Sequence, residues 1–67
     1  MAVHSITELA GTSTDSFDSA VRDAIKTASK SLRNLEWFEV TDVRGRIKDG
    51  DIEEFQVVLK VGFKYEA

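Results

Sequence analysis

Residues 52–65 read IEEFQVVLKVGFKY, and this stretch decides the fold. From position 55 onward every second side chain is apolar or aromatic: Phe55, Val57, Leu59, Val61, Phe63 and Tyr65. The intervening side chains are mostly polar or small: Glu54, Gln56, Val58, Lys60, Gly62 and Lys64. Because successive side chains of a strand point to opposite faces, this alternation predicts a long strand with one buried face. A strand of this length should wrap around a packed element.

The element that this face packs on is a helix, predicted from Thr14 to Asn34. Ser13 is the expected N-cap, because its hydroxyl can accept a hydrogen bond from a free amide of the first turn. Apolar residues then recur at steps of three and four: Phe17, Val21, Ala24, Ile25, Ala28, Leu32 and Leu35. This spacing places them along one side of an amphipathic helix.

Two further strands complete the predicted domain. Residues 2–9 form the first strand, and Gly11-Thr12-Ser13 is expected to turn the chain toward the helix. Residues 36–47 form the second strand, and Lys48-Asp49-Gly50-Asp51 has the composition of a hairpin turn. The chain is therefore predicted to be one α+β domain over residues 1–67, of order β-α-β-β. Its three-stranded antiparallel sheet wraps around one amphipathic helix.

The second strand contains a predicted bulge. Its apolar residues change from even to odd numbers after Thr41, and an extra residue near Asp42 accounts for that change. The bulge would bring Arg44 and Arg46 onto the same outer face as Trp37.

Composition restricts the partners of the chain. The net charge is −3 with the two signs interleaved, which argues against nucleic acid as the main partner. No apolar run approaches the roughly 20 residues of a membrane span. The absence of cysteine and the single histidine exclude thiolate and histidine-rich metal sites. These features predict a soluble cytoplasmic protein without a metal. A chain this short buries only about 60% of its unfolded surface, so self-association is expected.

Trp37 is the only tryptophan, and alternation places it on the polar face of its strand. A large ring there needs a cover, which is either another subunit or a flat ligand. Gln56, on the neighbouring strand, offers a donor and an acceptor that match the edge of a pyrimidine-like ring. A nearby arginine or lysine suits a phosphate. Together, the indole, the amide and a nearby basic side chain favour a binding site for a planar heterocycle with a phosphate tail.

Each of these residues also has a purely structural interpretation. Trp37 would be buried at a subunit contact without a ligand, and Gln56 would be solvated. Arg44 and Arg46 would be solvated or paired with acidic neighbours on the same hairpin: Glu39, Glu53 or Glu54. His4 is expected to be a surface residue. No catalytic residue is predicted, since the serines around the helix start have no histidine within sequence reach.

Three segments carry a family resemblance. They are Gly11-Thr12-Ser13, residues 35–40 (LEWFEV) followed by Val43-Arg44-Gly45, and residues 55–63 (FQVVLKVGF). The ordered set spans nearly the whole chain. On these segments the chain resembles the bacterial dodecins, small flavin-binding proteins that assemble as hollow dodecamers.

The resemblance implies where a flavin would bind. In dodecins two flavins stack between symmetry-related tryptophans, and Trp37 stands at that position. Gln56 matches the glutamine that hydrogen-bonds the pyrimidine-like edge of the isoalloxazine. Arg44 and Gly45 match an arginine–glycine pair close to the flavin. Arg46 stands at a variable position, where a positive charge should favour FMN over riboflavin; FAD is a further alternative.

The resemblance also implies a function. Lys64, and more loosely Lys30, match basic residues implicated in holding coenzyme A phosphates, so coenzyme A is a further expected ligand. The expected activity is not enzymatic: the homo-oligomer would store and buffer flavin and quench its photochemistry. The alternative is a structural or protein-interaction oligomer of the same fold without a flavin.

Overall fold

The computed structural model describes residues 2–65. Its elements are β1 (His4–Ser13), α1 (Phe17–Ala28), β2 (Leu35–Lys48) and β3 (Asp51–Lys64). The strand order is β1-β3-β2, and β3 is antiparallel to both neighbours. The predicted order of elements and the antiparallel sheet are confirmed. Within residues 2–65 no helix is long and apolar enough to cross a membrane.

The core lies between β3 and the helix. Val57, Leu59 and Val61 are each no more than 1% exposed, as the alternation predicted, and they pack on Ala20 and Ala24 of α1. The small alanine side chains let the helix approach the sheet closely. Partly buried apolar residues surround this cluster: Leu9, Val21, Ile25 and Leu35.

The predicted start of the helix is wrong by three residues. β1 continues to Ser13, which pairs with Phe55, so Gly11-Thr12-Ser13 is strand and not a turn. The Ser13 hydroxyl accepts from the Asp15 amide at 2.9 Å within the connecting turn. Ser16 is the N-cap, and its hydroxyl accepts from the Ser19 amide at 3.0 Å. Pairing with β3 holds β1 extended further than its own mixed pattern indicates.

The helix also ends earlier than predicted. It stops at Ala28 with Ser29 as the C-cap, and the chain continues in a turn where the Leu32 amide donates to the Ala28 carbonyl at 2.9 Å. Asn34, which has a positive φ of 60°, then leads into β2. Leu32 and Leu35 continue the apolar spacing outside the helix, which explains why the spacing overstated its length.

The predicted bulge in β2 is confirmed. The register with β3 shifts between Val40 and Asp42, so Thr41 is the extra residue, and its hydroxyl donates to the Val58 carbonyl at 3.2 Å. Two further shifts occur, one between Leu35 and Trp37 and one between Arg46 and Ile47.

The hairpin turn between β2 and β3 is confirmed as well. Asp49 and Gly50 have φ angles of 53° and 77°. A two-residue turn with both angles positive matches the right-handed twist of its strands, and Asp-Gly is a favoured sequence for it.

The helix covers only part of the sheet. It packs on β1 and β3, whereas the inner face of β2 beyond Leu35 remains largely open: Phe38 and Val43 are each 52% exposed. The hairpin extends past the helix, and the subunit measures 51 × 20 × 13 Å. The predicted wrapping of the sheet around the helix therefore holds for two strands. The third presents an uncovered apolar surface.

Gly11 provides a test of the helix–sheet contact. A Cβ at Gly11 would overlap the carbonyl oxygen of Ala20 and lie 2.9 Å from the Ala24 Cβ. We expect Gly11→Ala to lower the free energy of unfolding by about 1–3 kcal/mol, the usual range for overpacking a core. Chemical denaturation measures this loss. Ala10→Val is the matched control on the exposed face of the same strand, and an equal loss in both variants would contradict the packing account.

Candidate functional site

Trp37 lies on the outer face of the sheet, directly across from Gly62. Its indole covers the Gly62 backbone so closely that any Cβ there would overlap ring atoms Cε2, Cζ2 and Cδ2. Gly62 is buried by this contact, whereas Trp37 remains 44% exposed. A glycine inside a strand often marks such a close approach. Trp37 is therefore seated on the sheet and still presents ring surface to the outside.

His4 provides a second contact to the indole. β1 and β2 are separated by β3, yet the His4 and Trp37 ring centroids are 5.1 Å apart with an interplanar angle of 58°. The His4 Nε2 also lies 2.7 Å from Glu36 Oε1. These contacts link the two edge strands across Gly62.

Arg44 and Gln56 face each other across β2 and β3. The Arg44 Nε donates to Gln56 Oε1 at 2.9 Å, and its Nη1 donates to Asp42 Oδ2 at 3.2 Å. The Gln56 Nε2 donates to Glu54 Oε1 at 2.7 Å. The amide is thus oriented, with its carbonyl toward Arg44 and its NH2 toward Glu54. Both ends of the Gln56 amide are therefore already hydrogen-bonded. To bind a ligand, the amide would have to share or exchange one of these hydrogen bonds.

Trp37 and Gln56 are not neighbours in one subunit. Trp37 is aligned with Gly62, which is six residues from Gln56 along β3. At about 3.3 Å per residue this separates the two positions by about 20 Å. That distance exceeds the length of a three-ring heterocycle, so one flat ligand cannot lie on Trp37 and reach Gln56 of the same chain. Strand alternation predicts that both lie on one face but does not determine this offset.

Arg46 and Gly45 lie further along the hairpin. The Arg46 Nε is 3.8 Å from Glu54 Oε1, which is one of the acidic pairings expected for it. This long, exposed pair holds Arg46 weakly. Gly45 pairs with Phe55 and, by strand alternation, belongs to the inner face. Its predicted closeness to a flavin would thus involve its backbone.

Lys64 and Lys30, the two lysines predicted to hold coenzyme A phosphates, lie on different sides of the sheet. Lys64 pairs with His4 on β1, and alternation places it on the outer face at the Trp37 end. Lys30 follows the end of α1, where its amide donates to the Thr27 carbonyl at 3.2 Å, so it lies on the helix side. One subunit does not bring them together.

Two contributors to the site were missed by sequence analysis. Gly62 had a usable signal, because a glycine in the middle of a strong strand pattern suggests close approach of another group. His4 had none, since its contact with Trp37 depends on the register of two strands that are not adjacent. Among residues 2–65, no group of three or more His, Cys, Asp or Glu side chains is placed to hold a metal ion.

Comparison with known proteins gives a consistent result. The sequence model of the Dodecin family matches residues 3–66. The chain is 45% identical over 64 residues to the dodecin of Thermus thermophilus, covering 96% of this chain and 93% of that protein.

Solved structures agree with the sequence comparison. The dodecin of Streptomyces coelicolor is 52% identical with a TM-score of 0.96, covering 98% of this chain and 94% of that one. The dodecin of Streptomyces davaonensis is 44% identical with a TM-score of 0.94, covering 98% and 97%. The ordered motifs, the β-α-β-β fold and these similarities lead to one conclusion: the chain belongs to the dodecin family.

Proposed function

We propose that this protein binds flavin between subunits of a homo-oligomer and serves as a non-catalytic flavin store and buffer. The observation that carries the proposal is the seating of Trp37 on Gly62. The contact holds a large aromatic ring in one orientation and leaves 44% of the residue exposed. A fixed, partly exposed indole is a suitable platform for a flat, electron-poor ring.

The separation of Trp37 from Gln56 supports a site built from two subunits. Since one flat ligand spans only part of the distance of about 20 Å between their positions, Gln56 of a second copy is the one that would meet a ring stacked on Trp37. A two-fold axis repeats such a contact, so two equivalent sites form together. The dodecin resemblance implies the same arrangement, with paired flavins between tryptophans in a dodecamer.

The apolar inner face of β2 supports the assembly. Phe38, Val43 and Ile47 are each more than half exposed in the single subunit. Contiguous apolar surface of this kind usually marks a protein interface. Covering it in a homo-oligomer would also stabilise a chain that is marginal on its own.

FMN is the flavin that the charges favour. Arg46 lies on the outer face and is held only by a pair 3.8 Å long, so its guanidinium is available for a phosphate. The flavin would supply an electron acceptor, and the Trp37 indole would donate an electron to its excited state and so quench its photochemistry. Coenzyme A stays a prediction. Because Lys30 and Lys64 lie on opposite sides of the sheet, contacts from both to one phosphate group would require a second subunit.

An interaction oligomer without flavin is the second candidate. The same uncovered face of β2 supports it, because assembly would proceed whether or not Trp37 meets a ligand. The two candidates differ in the colour of the purified protein and in what Trp37 does. The flavin store is yellow and needs Trp37 for binding. The interaction oligomer is colourless and needs Trp37 only for assembly.

Truncation of Trp37 separates these candidates. We expect Trp37→Ala to weaken FMN binding by about 5- to 150-fold, since stacking of a base on an aromatic side chain contributes about 1–3 kcal/mol. Quenching of FMN fluorescence on titration measures the affinity, and size-exclusion chromatography checks the assembly. Trp37→Phe is the control that keeps a flat ring, so it should bind FMN more tightly than the alanine variant. Undiminished FMN affinity in an intact Trp37→Ala oligomer would exclude the site.

Arg46 tests the preference for a phosphorylated flavin. Arg46→Gln should weaken FMN binding by about 10- to 150-fold, because a hydrogen bond to a charged group contributes about 1.5–3 kcal/mol. Riboflavin, which has no phosphate, should bind with unchanged affinity. Lys48→Gln is the matched control, since Lys48 also has an exposed 3.8 Å pair on this hairpin, with Glu53. Equal losses for FMN and riboflavin in Arg46→Gln would contradict the assignment.

A further inference from the structure

The imidazole of His4 lies between two consecutive residues of β2. Its Nε2 is 2.7 Å from Glu36 Oε1, and its ring centroid is 5.1 Å from that of Trp37. Consecutive strand residues normally point to opposite faces. Here the register shift between Leu35 and Trp37 makes Glu36 an extra residue, so both Glu36 and Trp37 reach the same imidazole.

We propose that His4 is a positioning residue for Trp37 and that its protonation makes the stacking platform sensitive to pH. Gly62 supports one face of the indole. His4 supplies a contact from the far edge strand, and Glu36 holds His4 at 2.7 Å. The effect on flavin rests on the proposed function, whereas the coupling of His4 to Trp37 does not.

The charged groups around His4 determine the sign of the effect. Glu36 contacts it from β2, and Lys64 is its register partner on β3. On β1 itself the next residues on the outer face are Ile6 and then Glu8. The helix packs on the inner face and brings no charge to this side. Among residues 2–65, the charged group that makes a direct contact with the His4 ring is the Glu36 carboxylate, and it attracts the protonated imidazole.

The ionic attraction is present at low pH and is lost as the pH rises. Imidazole side chains change charge within about pH 5 to 8, where carboxylates stay ionised. The protonated ring is also a cation beside an indole, which adds a favourable cation–π contact. Both contributions therefore strengthen the contact of His4 with Glu36 and Trp37 at low pH and weaken it as the pH rises. His4 is the only histidine in the chain, so no other imidazole contributes.

Emission from the single tryptophan tests the coupling without any flavin. A protonated imidazole quenches indole fluorescence efficiently, so emission of the flavin-free protein should rise from pH 5 to pH 8 in one single-proton transition. His4→Phe keeps a ring against the indole and loses the titrating group. His4→Gln keeps a polar partner for Glu36 and provides a second non-titrating variant. Both variants should show flat emission over this range. A flat wild-type profile, or the same transition in a variant, would overturn the proposal.

Riboflavin binding tests the consequence for the site. Riboflavin is the appropriate probe because the phosphate of FMN itself titrates near pH 6. Wild-type affinity should be about two- to fivefold higher at pH 5.5 than at pH 8, the range expected from one exposed ion pair. His4→Phe and His4→Gln should bind riboflavin equally at both values. Wild-type affinity that is the same at both values would overturn the effect on the site. Absence of riboflavin binding at either pH would instead contradict the proposed function, and the emission profile would still decide the role of His4.

Discussion

The contact between the Trp37 indole and the bare backbone of Gly62 is the constraint on which the rest of the site depends. Any side chain at position 62 would occupy the space of the ring. The contact therefore explains a glycine in the middle of a strand that otherwise alternates strongly. It also fixes one side of the indole against the sheet, so the remaining exposed surface has a defined direction. A platform of this kind needs no conformational change before a flat ligand stacks on it.

The single subunit is incomplete in two respects. The helix covers β1 and β3 but leaves the apolar inner face of β2 open, with Phe38 and Val43 half exposed. On the other face, Trp37 and Gln56 are aligned with positions six residues apart on β3. Another copy of the chain would supply cover for the first surface and the missing hydrogen-bonding partner for the second. Assembly and ligand binding are thus expected to depend on the same contacts between subunits.

Much of the fold could be predicted from the sequence, because it is encoded in local periodicity. The alternation of β3, the parity change that indicated the bulge at Thr41, and the Asp49-Gly50 turn all depend on residues close together in the chain. The ends of the helix could not be predicted in this way. Ser13 and Ser16 are equally good N-caps by composition, and only the pairing of β1 with β3 decides that Ser16 is used.

The candidate site was harder to predict than the fold, because it depends on register. Alternation assigned Trp37 and Gln56 to one face, and a hairpin made their strands neighbours. The offset between them also depends on two register shifts between the turn and Trp37, of which the sequence indicates only the one at Thr41. The contact of His4 with Trp37 crosses an intervening strand. No pattern within either strand indicates it.

The central claim is that flavin binds to Trp37 only where two copies of the chain meet. Native mass spectrometry of the purified protein with added FMN tests it most directly, because it reports the number of subunits and the mass of bound ligand together. The account predicts a dodecamer that carries FMN, and no FMN on any dissociated single subunit. A single subunit that retains FMN, or a dodecamer that carries none at saturating FMN, would contradict it.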